Sequence, residues 1–242
     1  MAAPVNMTPK EPDTSNWTPD EIARWNEEAA QWKTLNPGNP DFHPLTVKAG
    51  YVIGVIYDIC ESVSCLLKDS GFARRTSYIP AYGIFASGVE ILGRCVKGEP
   101  KSYRSTLCAG FKWLADPTPS SYQTVSQNRT LVTTSQRAYT IEELVYLRNF
   151  AAHGQAAAQF CNIDYELLSR LHPLLTAGLE HYWTKLTMPG NDELSTNLAR
   201  ANVVGLRDWP VFKCWSLFSR DRQGKHHSVT EIFNKFKDEW KV

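Results

Sequence analysis

Two stretches govern what this chain can fold into. Residues 45–68 are apolar on nearly every side, and "YIPAYGIFASGVEILGRCVKG" at 78–98 reads the same way. "YVIGVIYDI" alone would pass for a buried strand. "CESVSCLLKD" continues it without a breaker, so its length predicts a buried helix. In the second stretch Ala86, Ser87, Gly88 and Gly93 are small enough to let another helix come close. Helices that are apolar all round must be wrapped by other elements, which points to a helical bundle. Lys48, Asp58, Glu61 and Glu90 interrupt the apolar runs. No run reaches the ~18 clean residues of a membrane span, so no membrane is expected.

The remaining segments supply the wrapping. Residues 1–16 are rich in Thr, Ser and Pro and read as a disordered tail. Thr18 followed by Pro19, Asp20 and Glu21 is a helix start. Ile22, Trp25, Ala29 and Trp32 then recur at helical spacing, a stripe suited to a core or a dimer contact, and "NPGNP" at 36–40 closes the segment as a linker. A helix is predicted from Ser102 to Leu114, stopped on both sides by "GEP" and "DPTPSS". Residues 117–138 are polar and read as a long loop with a short strand at Thr130–Thr134. Thr140 and Glu143 form a capping box for the next helix. Asp164 caps a long helix that Pro173 should kink, and a short helix is expected from Asp192 to Asn202. "PVFKCWSLF" alternates like a strand, and Ser228 caps a final amphipathic helix carrying Ile232, Phe233, Phe236 and Trp240. The expected fold is all-α: tail 1–16, amphipathic helix and linker 17–40, helical bundle 41–203, and a strand/helix appendage 204–242.

Overall charge is +1 and says nothing about partners, but its distribution does. Residues 1–42 hold three basic and seven acidic side chains, a net −4, whereas 72–139 hold nine basic and three acidic, a net +6. A positive middle segment fits an anionic ligand, and it equally fits a solvated surface. The six cysteines show no CxxC spacing, and the start "MAAPVNMTPK" lacks the basic and apolar regions of a signal peptide. A reducing, cytoplasmic setting without disulfides is expected.

"YLRNFAAHGQ" at 146–155 stands out because it places Arg148, Asn149 and His153 inside an otherwise apolar helix. Such groups are costly to bury without partners. Asn149 and His153 are four apart and share a helix face, with Arg148 flanking it. Arginine grips a phosphate through two nitrogens, histidine exchanges a proton near neutral pH, and asparagine can orient either one. That set suits metal-free RNA cleavage, in which the ribose 2′-hydroxyl attacks its own phosphate and arginine stabilises the phosphorane. One histidine is thin equipment, and two copies across a two-fold axis would supply two. Spacing alone is weak: 13 arginines and 6 histidines give roughly 0.3 chance matches to R-x-x-x-x-H. Arg222 to His227 is such a match, set in a polar turn.

"LRNFAAHG" resembles the R-N-x-x-x-H motif of HEPN domains, and "YGIFASGVEILGRCVKG" resembles an earlier bundle helix of some HEPN groups. The resemblance covers residues 45–188. It implies a dimerising bundle of four or five helices whose two motifs build one composite ribonuclease site, as in prokaryotic toxins and antiviral systems. It implies catalytic roles for Arg148 and His153 and a supporting role for Asn149, with no cofactor. RNA is then the substrate, with a homodimer partner and an antitoxin or defence-system protein as inhibitor or trigger. The alternative is a catalytically inactive HEPN scaffold that dimerises and binds a partner protein or RNA. HEPN toxins controlled by a nucleotidyltransferase often carry a tyrosine two residues after the histidine. Gln155 stands there, so tyrosine adenylylation at that site is not expected.

Other candidates are secondary. Glu90 could pair with Arg148 or Arg94 and support the site. Arg94, Lys97, Lys101 and Arg104 form a basic cluster that would be plain surface or guide an RNA backbone. His226 and His227 have no further ligand at metal spacing, so no metal site is assigned.

Overall fold

The computed structural model describes residues 11–34, 43–68, 78–98, 102–153 and 163–201 apart from 189 and 191. Within 141–153, the side chains of Asn149, Phe150, Ala152 and His153 fall outside that description. The expected appendage at 204–242, the "NPGNP" linker, Lys101 and Gln155 lie outside it as well.

The described chain is mostly helical. Its elements are α1 (Pro19–Thr34), α2 (Pro44–Lys68), α3 (Tyr78–Lys97), α4 (Tyr103–Ala115), β1 (Thr130–Thr133), β2 (Ala138–Thr140), α5 (Ile141–His153), α6 (Tyr165–Thr187) and α7 (Asp192–Arg200). Local chemistry sets their ends. The Thr18 amide donates to Glu21 Oε2 (2.7 Å) while Thr18 Oγ1 accepts from the Glu21 amide (3.3 Å). Thr140 and Glu143 repeat this reciprocal pattern at α5, with distances of 2.8 and 3.3 Å. Asp164 caps α6 through the Leu167 amide at 2.8 Å, and α6 runs as one helix through Pro173. Gly98, at φ 83°, ends α3 in the left-handed conformation that glycine adopts without strain.

α3 is the hub, packing against α2, α4, α5, α6 and α7. It meets α4 with almost no space between the backbones. A Cβ on Gly93 would lie 1.9 Å from the Thr106 carbonyl oxygen, and one on Gly110 would lie 2.1 Å from that of Val89. α2 and α3 are long and apolar enough to cross a membrane by length and composition alone, although charged residues interrupt both. About 72% and 67% of those apolar windows are buried among the other helices.

The tryptophan stripe of α1 is core: Trp25 and Trp32 are buried, with Trp32 packed against Tyr51 of α2. It is thus spent inside the bundle. Part of the expected tail is also placed, since the Asp13 amide donates to Thr196 Oγ1 of α7 at 3.0 Å. Beneath α1, Lys48 is fully buried and ion-pairs with Glu28 at 2.9 Å. Its ammonium also donates to the Ala199 carbonyl at 3.0 Å, and Trp32 Nε1 donates to the same Glu28 carboxylate. The polar loop holds one more strand than expected. β1 pairs antiparallel with β2, and the hairpin tip is fixed to α6 by Ser135 donating to Glu166.

Gly93→Ala should lower the unfolding free energy by about 3 kcal/mol, because a backbone oxygen cannot move aside. In the same helix Gly83 has 3.9 Å of clearance, so Gly83→Ala should raise it by about 0.5–1 kcal/mol through helix propensity. Urea denaturation of the two variants checks both signs. A second expectation concerns pH. His172 is buried, with its Nε2 hydrogen-bonded to the Cys60 carbonyl oxygen at 3.0 Å. Burial lowers its pKa below the ordinary 6.5, the hydrogen bond opposes this, and Lys68 adds to the lowering. The unfolded chain therefore binds this proton more readily than the folded one. Stability attributable to His172 is present above about pH 6.5 and is lost as pH falls, with a slope of up to about 1.4 kcal/mol per pH unit. Chemical denaturation between pH 5 and 7 should show that slope flattened in His172→Gln.

Candidate functional site on helix α5

α5 is anchored at two points. Its N-terminus is fixed by the Thr140–Glu143 box, which Arg137 reinforces by pairing with Glu143 and stacking on Tyr139 (4.7 Å). Its middle is fixed to α3, where the Tyr82 hydroxyl donates to the Leu144 carbonyl at 2.5 Å. Leu144, Val145 and Leu147 are buried, which leaves Tyr146 and Arg148 on the accessible side of the α4–α5 seam.

Arg148 is held from two directions. Glu90, buried on α3, places Oε2 at 3.6 Å from an Arg148 nitrogen, and its Oε1 takes Arg94 at 2.6 Å. The ring of Tyr103, at the start of α4, lies 4.7 Å from the Arg148 guanidinium carbon. One carboxylate thus serves both arginines that sequence reasoning offered it. The Arg148 side chain keeps 26% exposure, enough to present one edge of the guanidinium to a ligand. Beside it a second pair runs the opposite way across the seam. Arg104 of α4 stacks on Tyr146 of α5 at 4.8 Å and donates to its hydroxyl at 3.2 Å. Tyr103 and Tyr146 remain 42% and 44% exposed. Arginines laid on exposed aromatic rings make a surface able to take both phosphates and bases.

The backbone of α5 is helical through His153, so Asn149 and His153 occupy positions i and i+4 of one helix. Their side chains lie outside the described atoms. The basic cluster divides in two. Arg94 joins Glu90 and Arg148, whereas Lys97 and Arg104 line a separate groove along α4. Sequence reasoning missed Tyr103 and Tyr146, whose meaning depends on α4 and α5 lying side by side. Among the described residues, no group of three or more His, Cys, Asp or Glu side chains could hold a metal ion. Cys60, Cys95 and Cys108 are buried free thiols and Cys65 is an exposed one.

Comparison with family models, with curated proteins and with solved structures gives no match to this chain.

A double-mutant cycle of Glu90→Gln and Arg148→Ala should give a coupling of about 0.5–1 kcal/mol in unfolding free energy, reduced by added salt, since the pair is partly solvated. Equal and additive effects would mean that Glu90 acts on Arg94 alone.

Proposed function

We propose that this protein is a metal-independent endoribonuclease of a toxin or antiviral-defence system, working as a HEPN-type homodimer with a composite active site. The observation that carries this reading is Arg148: a partly exposed guanidinium in the R-N-x-x-x-H sequence, held by the buried carboxylate of Glu90 and the ring of Tyr103. In it, Arg148 clamps the scissile phosphate, His153 moves the proton, Asn149 orients, and Glu90 is a positioning residue. Cleavage by the 2′-hydroxyl spares DNA. A second copy supplies the second histidine and arginine. Such an activity would harm its host, so an antitoxin or defence-system partner holds or triggers it, in the cytoplasm.

The pairing of Arg148 with Glu90 also favours a second reading. An arginine already matched by a carboxylate suits a catalytically inactive HEPN scaffold that dimerises and binds a partner protein or RNA.

RNA cleavage by the purified protein in excess EDTA separates the two. The nuclease reading expects cyclic-phosphate ends, untouched DNA, and a loss of about 100-fold or more in His153→Ala and Arg148→Ala. Cleavage that persists unchanged in His153→Ala would sink it, and RNA binding without cleavage would favour the scaffold.

A further inference from the structure

A cavity of about 620 Å³ lies along one face of α4, lined by Ser105, Cys108 and Lys112 of that helix together with Lys97 from the end of α3. Arg104, Glu142 and Glu193 also border it. The volume falls within the roughly 300–1,000 Å³ of small-molecule sites.

Its cations are under-used. The Lys97 ammonium donates to Ser105 Oγ, and the Lys112 ammonium donates to the Gln123 carbonyl at 3.2 Å. Among the described residues neither lysine pairs with a carboxylate. An ammonium has three donors, so among the described residues each lysine keeps two for a ligand. Cys108 lies between Ser105 and Lys112 on α4, about 4.5 Å of helix rise from the first and about 6 Å from the second. Both lysines and the thiol line the same groove. Burial raises the pKa of the thiol, while Lys112, Lys97 and Arg104 act to lower it and Glu142 adds to the rise.

The groove is bounded by carboxylates. Glu142 lies 3.7 Å from Arg104, and Glu193 accepts from Gln123 Nε2 at 3.2 Å. A polyanion running through would meet both. A short ligand with one phosphate and several hydroxyls would instead set the phosphate against the lysines and let the carboxylates accept from hydroxyls.

We propose that this groove binds a phosphorylated sugar, free or as part of a mononucleotide, with Lys97 and Lys112 holding the phosphate. The site is separate from Arg148 and does not depend on the nuclease reading.

Calorimetric titration of the full chain with AMP and with ribose 5-phosphate tests this without reference to cleavage. Saturable binding that inorganic phosphate displaces is expected. Lys97→Gln with Lys112→Gln should weaken it by about tenfold or more, while Arg148→Ala retains it. Both lysines are solvent-accessible, and unchanged thermal unfolding of the double variant establishes that its fold is intact. Equal affinity for the two ligands identifies the sugar phosphate as the recognised unit, and tighter AMP binding adds the base. No binding of either ligand at millimolar concentration overturns the proposal, as does an unaffected double variant. Lysine-dependent binding of a short single-stranded RNA in place of AMP would also overturn it, since the groove would then hold a polymer.

Discussion

The contact between α3 and α4 is the constraint on which the rest of the molecule turns. At Gly93 and Gly110 each helix presses bare backbone against a carbonyl of the other, so the two axes cannot slide or rotate independently. Dispersion and burial are gained at a distance that any side chain would forbid. This fixes which α3 residues stand near the start of α4. Glu90 and Arg94 are one turn and less from Gly93, and Tyr103 and Arg104 are less than a turn from Thr106, whose carbonyl Gly93 abuts. The Tyr82–Leu144 hydrogen bond then sets α5 against the same pair. The arginine, its carboxylate and its ring are therefore assembled by three helices whose relative positions leave little freedom.

The other end of the bundle is held by different physics. Lys48 gives up hydration completely, and burial lowers its pKa while Glu28 opposes the change. The ion pair is offset against desolvation and is not by itself a source of stability. What it does supply is direction. The Ala199 carbonyl, the Glu28 carboxylate and the ring of Trp25, 5.5 Å away, surround one ammonium. α1, α2 and α7 can satisfy that group together in few arrangements, since an unpaired buried charge is far more costly than a paired one.

Much of the helical frame was legible in the sequence because its signals are local. The helix start at Thr18, the capping box at Thr140, the Asp164 cap and the Gly98 stop each depend on residues within a turn of one another. Gly93 was legible as a close-approach position, though its partner on α4 was not. β2 was missed because Ala138, Tyr139 and Thr140 are too few to show a period. Glu90 was legible as a partner for Arg94 or Arg148, since a lone carboxylate in an apolar helix needs a cation, and it takes both. The aromatic partners were not legible. Tyr103 and Tyr146 look like ordinary helix residues until the two helices lie together. Likewise the basic cluster looked like one patch, and helix geometry sends Arg94 to Glu90 on its own helix and Lys97 to Ser105 of α4.

The engagement of Arg148 bears on how strongly it could take an anion. Glu90 contributes one negative charge, and Arg94 and Arg148 together contribute two positive ones, so the trio keeps a net positive charge. The shorter contact, 2.6 Å, belongs to Arg94, and Arg148 stands farther off at 3.6 Å. Arg94 therefore takes the larger part of the carboxylate's hydrogen-bonding capacity. Arg148 is oriented by the field of Glu90 and the face of Tyr103 while most of its five donors stay uncommitted to that carboxylate. That is the arrangement in which a carboxylate positions an arginine without cancelling it. It would change if Arg94 were removed, because both oxygens of Glu90 would then be open to Arg148.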